Sequence, residues 1–411
     1  MIKKIKYFSR HALNYLKRSQ KKNEYLKFCQ ELPINNKLFF IESFQGRNLS
    51  DNPKALYLEM LNNPHYQDFE FVISLKELPL SKHEYYHNER TTIVISKSSE
   101  YYCLLAQAKY IIANSVFDLS FKKRAEQIYL QTWHGTPLKK LGFDLDTKGS
   151  NDVNKPWQIR EMYKQDAKRY DLICSPSTFF TKHITSAFAL AKWYDKSIVV
   201  ETGYPRTDFI INHTDKDIAA IKEKYNLPKN KKIILYAPTW REDNHSIKDG
   251  YQFDLKLDLE ALRQELADDY IIILRIHYLI SKYLKIENDD FVYDLSNVDD
   301  IAKLYVISDL LITDYSSALF DYALLKRPMI YFMYDYEKYK NETRGFYFDV
   351  KTLPGPIVET NEQLLAQLTN IDDVKKSYAN EIIEFNKTYN YLEDGNSSQR
   401  VIEKLIEKGI A

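Results

Sequence analysis

Four short stretches carry residue types suited to moving a phosphate, and each directly follows an apolar run. The first is QTWHGTPLKKLGFD at 131–144. Its His134 stands at the end of a strand-like run, where an imidazole with a pKa near neutrality can take a proton from a hydroxyl. A structural histidine at a strand-to-helix corner is the alternative reading. Thr136 as a cap and Pro137 in a first turn predict that a lysine-bearing helix begins here. The second stretch is ITDYSSA at 312–318, ahead of the helical pattern ALFDYALL. Ser316 and Ser317 fall at the helix start, where unpaired N–H groups attract anions and two hydroxyls add donors. Simple capping explains the same serines, and the two roles are compatible.

The other two stretches are YAPTWR at 236–241, after KKIIL, and LRIHY at 274–278, after YIII. They set Arg241 and Arg275 at strand ends and add a second histidine, His277. An arginine there commonly pairs with an acid, but a pyrophosphate also wants planar, multidentate donors. Two histidines and two arginines near Ser316 and Ser317 suit phosphoryl transfer by positioning and charge stabilisation, without a covalent intermediate.

Such residues need a scaffold that brings several strand ends together. Candidate strands are Lys37–Glu42, Phe69–Ile73, Thr92–Ser96, Lys109–Ala113, Gln127–Thr132, Leu172–Ser175 and Ser197–Glu201. A second series runs Lys231–Ala237, Tyr270–Arg275, Phe291–Tyr293, Leu310–Thr313 and Met329–Phe332. Helix-length segments separate them, so βαβ units and parallel sheets are expected. A polar INHTDKD and the turn LPKN put a domain junction near residue 212. At 411 residues, two domains are the prior. Ligands of open α/β sheets sit beyond the carboxyl ends of the strands, which is where all four stretches lie.

Composition narrows the field further. Lys+Arg 58 against Asp+Glu 57 leaves a net charge of +1, too little positive field for a general nucleic-acid binder. Three scattered cysteines imply reduced thiols in a cytoplasmic setting, with neither a disulfide framework nor a cysteine zinc site. No run of about 18 apolar residues occurs to span a bilayer, and no signal peptide is apparent. Within the first 27 residues nine Lys or Arg face one acid, Glu24, while Ile5, Phe8, Ala12, Tyr15 and Leu16 recur at helical spacing. That pattern suits a basic amphipathic helix lying on an anionic membrane, or a solvated helix packed on the protein. His83 and His87 match HExxH in letters, but their polar surroundings mark a chance match. The absence of GxGxxG, GxxxxGK[ST] and GxSxG removes the usual support for dinucleotide, P-loop and α/β-hydrolase readings.

Taken together, HGTPLKKLGFD (134–144), TGYPRTD (202–208), YAPTWRED (236–243), RIHY (275–278) and SDLLITDYSSALFDYALLKRPMIYF (308–332) resemble the CDP-glycerol glycerophosphotransferase family. This family comprises teichoic-acid primases and polymerases and related capsule enzymes. FFIESFQGRNLSDNPKALY (39–57), RGFYFDV (344–350) and DGNSSQR (394–400) extend the resemblance over about residues 37–400. It implies a GT-B fold: two Rossmann-like domains facing across a cleft, here with a short basic N-terminal helix. The expected division is 1–30 basic segment, 31–212 acceptor-side domain, 213–385 donor-binding domain and 386–411 C-terminal helical segment. The implied reaction is attack of an acceptor hydroxyl on a CDP-alditol, CDP-glycerol or CDP-ribitol, with release of CMP. By motif match, the resemblance makes His134 the base and sets His277 beside the donor pyrophosphate. Asp314, Ser316 and Ser317, with Thr313 beside them, are to hold phosphate. Thr239, Arg241 and Arg275 are assigned to the donor by position, and Gly135, Thr136, Ser43 and Arg206 are further cleft candidates. The expected acceptor is a lipid-linked, undecaprenyl-type saccharide or an alditol-phosphate chain, met at the inner face of the cell membrane. No dedicated metal-ligand cluster appears, so no cofactor is firmly expected and a Mg2+ requirement stays open. A UDP-sugar glycosyltransferase or epimerase, and a non-catalytic scaffold of the assembly complex, are the alternatives.

Overall fold

The segments IYLQ, LICS, YIIIL and LLIT are buried along their whole length. Strands apolar on both faces form parallel sheets covered by helices on either side. The protein, described here from a computed structural model, has two such sheets. The structure describes residues 19–78, 88–145, 155–239, 245–246, 250–251, 255–276, 288–342 and 345–410.

The first sheet contains β1 (Asn35–Glu42), β2 (Glu70–Leu75), β3 (Thr91–Ile95), β4 (Ala108–Ala113), β5 (Ile128–Gln131), β6 (Leu172–Ser175) and β7 (Val199–Glu201). Their order is β3-β2-β1-β4-β5-β6-β7, every pair parallel. After a small hairpin-like pair, β9 (His245–Ser246) with β10 (Gly250–Tyr251), the second sheet is completed around β8 (Lys232–Tyr236). It adds β11 (Tyr270–Leu274), β12 (Val292–Asp294), β13 (Leu310–Thr313), β14 (Met329–Phe332) and β15 (Ile357–Val358), in the order β12-β11-β8-β13-β14-β15. These pairs too are parallel. Two doubly wound α/β units of this kind make the GT-B fold.

The chain crosses between the units twice. Helices Asp208–Asn212 and Asp215–Lys224 lead from the first sheet to the second. Near the C-terminus, helix Ala379–Tyr389 packs Ile382 and Phe385 into the second core, whereas helix Ser397–Ile410 returns Val401, Ile402 and Leu405 to the first. The return is held by Asp208, whose carboxylate accepts the N–H groups of Ser397 (2.8 Å) and Ser398 (2.7 Å). Glu393, half-buried at this crossing, accepts from Tyr204 N–H (2.9 Å) and from the Thr207 hydroxyl.

Residues 1–18, where the basic amphipathic pattern is strongest, lie outside the described residues. The helix at 19–31 packs Tyr25, fully buried, with Phe28 and Cys29 against the first core. Among the described residues no helix is long and apolar enough to cross a membrane.

Candidate active site

The strand ends of the two sheets face each other across a cavity of about 600 Å³. Its walls include His134, Gly135 and Thr136 from the loop after β5, and Thr239 from the loop after β8. Arg275 after β11, and Ser316 and Ser317 after β13, complete the facing wall. Parallel strands deliver their loops to one edge, so residues remote in sequence converge there. A second chamber of about 210 Å³ shares His134, Arg275, Ser316 and Ser317 with the first and adds Asp51, Arg206 and Asp321.

The loop carrying His134 differs from its sequence expectation. No helix starts at Thr136. Instead Lys139 forms an antiparallel bridge with Phe346. Lys140 N–H donates to the Gly345 carbonyl (2.8 Å) and Tyr347 N–H to the Leu138 carbonyl (3.0 Å). Leu138, 1% exposed, is buried in the core of the second unit although it follows a strand of the first. Burial of that leucine and pairing with a distant segment override the local Thr-Pro capping signal. The loop is thereby strapped across the interdomain gap.

His134 itself is strongly constrained. Its Nδ1 lies 2.5 Å from the Asn114 carbonyl oxygen. A carbonyl can only accept, so Nδ1 carries the proton and the Nε2 lone pair is left to act. The imidazole stacks on Trp133, with centroids 4.3 Å apart, and Phe44 closes another side at 5.7 Å. Burial lowers its pKa below the usual imidazole value, outweighing the upward pull of the Asn114 carbonyl and the Asp51 carboxylate. The ring is therefore neutral at physiological pH, the form a general base requires.

Across the gap, Gly135 meets Ser317 directly. A Cβ built on Gly135 would stand 2.7 Å from Ser317 Oγ and 3.1 Å from Ser317 Cβ, so a side chain there would displace the serine. Ser316 and Ser317 precede the helix Ala318–Ala323, and Ser316 Oγ accepts the Ala318 N–H at 3.3 Å. Arg275 reaches both chambers, and its guanidinium pKa is lowered first by burial and then by the neighbouring charge of Arg47. Two guanidinium groups converging on a partly enclosed space attract an anion. Sequence reasoning missed Arg47. It lies after β1 within the 39–57 motif, and the strand-end rule that singled out Arg275 applies to it equally.

Several sequence candidates do other work. Thr313 is fully buried and its hydroxyl donates to the Ala237 carbonyl (2.7 Å). Asp314 accepts the Thr239 N–H at 2.8 Å. These two tie the β13 loop to the β8 loop and do not line either chamber. Ser43 is also turned inward: its hydroxyl donates to the Ser50 carbonyl at 2.9 Å. Arg206 lines the second chamber with its guanidinium between Asp51 and Asp321. Arg241 and His277 lie outside the described residues, as do His83 and His87.

Comparisons with known proteins bear on this arrangement. Residues 24–407 match the family described as CDP-glycerol:poly(glycerophosphate) glycerophosphotransferase. The chain is 40% identical over 389 residues to a teichoic acid glycerol-phosphate transferase of Staphylococcus aureus, covering 93% of this chain and 95% of the relative. It is 38% identical over 382 residues to a teichoic acid poly(glycerol phosphate) polymerase of Bacillus spizizenii, covering 91% and 93%. Among solved structures, a variant of the wall teichoic acid polymerase TagF soaked with CDPG superimposes with a TM-score of 0.85 at 34% identity, covering 100% of this chain and 98% of that one.

Proposed function

The chain belongs to the CDP-glycerol:poly(glycerophosphate) glycerophosphotransferase family, and from that premise we propose that it transfers glycerol phosphate from CDP-glycerol to an acceptor hydroxyl, with His134 as the base. Transfer of alditol phosphate from a CDP-alditol, in teichoic-acid synthesis, is the activity of the family. Glycerol is favoured over ribitol because the relatives at 38–40% identity carry glycerol phosphate in their names.

The observation that carries the residue assignment is the meeting of the His134 loop with Ser317. In the reaction, His134 Nε2 takes the proton of the acceptor hydroxyl as its oxygen attacks the β-phosphorus of the donor. The bond from that phosphorus to the bridging oxygen breaks, and CMP departs with the electron pair. A phosphodiester then joins acceptor and glycerol. Charge gathers on the equatorial oxygens and on the leaving phosphate. Ser316, Ser317, Arg275 and Arg47 are the groups suited to stabilise it, acting from preorganised positions in a partly desolvated cleft. His277 remains assigned to the donor by motif, and Arg241 by position.

The acceptor is proposed to be a lipid-linked saccharide or its growing glycerol-phosphate chain, reached from the cytoplasmic face. The basic residues of 1–18 would hold the enzyme there through anionic lipid headgroups. Incubating purified protein with CDP-glycerol or CDP-ribitol and a lipid-linked acceptor, then weighing the products, tests the function. An acceptor heavier by one or more glycerol phosphate units is the expected product. Unchanged acceptor with both donors contradicts the reading. Co-sedimentation with anionic liposomes should weaken on deletion of 1–18, and equal binding by both forms removes the membrane assignment.

A further inference from the structure

Arg206 shows no contact that suits a donor phosphate, since both ends of its guanidinium are already held. Nη1 lies 3.1 Å from Asp51 Oδ1, in the first unit, and Nη2 lies 2.9 Å from Asp321 Oδ1, in the second. Asp321 stands one turn beyond Ser317 on the helix Ala318–Ala323. The third donor, Nε, is buried with no hydrogen-bond partner among the described residues. A buried guanidinium stripped of one carboxylate would be left undercompensated, which is strongly unfavourable. Parting the two units at this point would separate Arg206 from one of its acids.

Two hydrogen-bonded paths lead from this ion triad to the base. In one, Asp51 Oδ2 accepts from Asn114 Nδ2 (2.9 Å), and the Asn114 backbone carbonyl holds His134 Nδ1. The Asn114 amide is fixed from its other end by Phe44 N–H (2.8 Å). The other starts beside the triad, at the Arg206 main chain: the Arg206 backbone N–H donates to Asn52 Oδ1 (3.1 Å), and Asn52 Nδ2 donates to the carbonyls of Thr132 (3.3 Å) and Trp133 (3.2 Å). Those are the two residues immediately before His134. Asp51 at φ 61° and Trp133 at φ 53° both hold left-handed backbone, a strained state for non-glycine residues that persists where surrounding contacts over-determine it. The strained points thus coincide with the two ends of the network. The Gly135 approach lies beside it: a Cβ there would be 3.6 Å from Arg206 Nη2.

We infer that Arg206 is a positioning residue, whose guanidinium, shared between Asp51 and Asp321, registers the His134 loop against Ser317 of the opposite unit. This inference rests on His134 being the base. The Arg206 guanidinium touches neither reacting atom and acts through Asp51 and Asn114, while its backbone N–H holds Asn52. Its charge also bears on the imidazole. The charged groups around His134 are Asp51, Arg206 and Arg47, with Arg275, Asp299, Asp300 and Asp321 further round the second chamber. Among them Arg206 lowers the imidazole pKa and Asp51 raises it.

Two variants separate geometry from charge in the full-length protein. Arg206→Lys keeps the charge and loses the two-sided fork, whereas Arg206→Gln loses both. Each should lower kcat by about 10²-fold, the size expected of a misplaced reacting group, with KM for CDP-glycerol little changed. In Arg206→Gln the His134 pKa should rise, because a neighbouring positive charge is removed. It should stay in place in Arg206→Lys, read both from the acidic limb of kcat/KM and from NMR titration of the labelled imidazole. Asp321→Asn, a milder change on the opposite unit, should lower kcat by about tenfold with the fold intact, and covers the case in which Arg206→Gln does not fold. Wild-type kcat in Arg206→Lys and Asp321→Asn, or an unmoved imidazole pKa in a folded Arg206→Gln, overturns the inference. A wild-type protein that releases no CMP from CDP-glycerol would instead refute the proposed function, and the NMR titration would still decide the role of Arg206.

Discussion

Gly135 and Ser317 approach so closely that a methyl group on Gly135 would stand 2.7 Å from the serine hydroxyl oxygen and 3.1 Å from its Cβ. The first residue follows the histidine of one unit, and the second belongs to the serine pair of the other. A backbone φ of +153° at Gly135 disfavours a side chain for a second reason.

Gly135→Ala should therefore push the two loops apart. Overpacking of this kind costs about 1–3 kcal/mol, and the displaced base should lose about 10²-fold in kcat. Urea denaturation and steady-state CMP release measure the two effects. A variant with unchanged kcat would show that the close approach is not needed for turnover.

The pH dependence follows from the direction of the His134 shift. Burial lowers its pKa below the usual 6.5, and the proposed base acts in its neutral form. Activity should be flat above pH 6.5 and fall as pH drops through the lowered value. The same sign applies to stability: with the pKa lowered in the fold, the His134 contribution is fully present above the unfolded value of 6.5 and is lost as pH falls from there through the folded value. A kcat/KM profile whose acidic limb lies above pH 6.5 contradicts the assignment.

Tyr347 holds the strap. Its hydroxyl accepts the Leu141 N–H (3.1 Å) and donates to Asp144 Oδ2 (2.7 Å), while its ring lies 4.1 Å from that of His183. Tyr347→Phe keeps the ring and removes both hydrogen bonds, a loss of about 1–3 kcal/mol. The 138–141 segment should loosen with it. Hydrogen exchange at Lys140 and Leu141 should accelerate, and kcat should fall by about tenfold. Unchanged exchange at those amides removes the strap from the description.

Glu393 should make stability fall with rising pH. Burial raises its pKa to about 8 from 4.5, against the hydrogen bonds from Thr207 and Tyr204 that favour the carboxylate. The folded chain binds a proton there that the unfolded chain has released, so stability declines between about pH 4.5 and 8. Glu393→Gln should flatten that part of a Tm-against-pH curve relative to the wild type. Parallel curves for the two proteins would show that this carboxyl stays ionised in the fold.

The parallel sheets were legible because their strands are short, continuous apolar runs. Leu172–Ser175, Leu310–Thr313 and Met329–Phe332 have the same bounds in sequence and structure. The strand Ile357–Val358 was not, since two residues carry no periodic signal. The expected helix after Thr136 failed for a different reason. Its true partners, Gly345 to Tyr347, lie some two hundred residues away, and a local capping signal says nothing of them. Strand-end position led to His134, Arg275 and the serine pair, all of which line the cleft. It could not tell an outward side chain from an inward one, as Thr313 and Ser43 illustrate. The Asp51–Arg206–Asp321 triad spans 271 positions of the chain (51 to 321 inclusive) and has no sequence signature.

His134→Ala tests whether this imidazole is the base, with CDP-glycerol binding and CMP release followed in the same preparation. Removing a general base leaves donor affinity close to the wild-type value and lowers the rate of CMP release by about 10²–10⁴-fold. Near-normal release by a folded His134→Ala protein would mean that the acceptor is deprotonated elsewhere, and that the convergence of this imidazole with Ser316 and Ser317 is not the site of the chemistry.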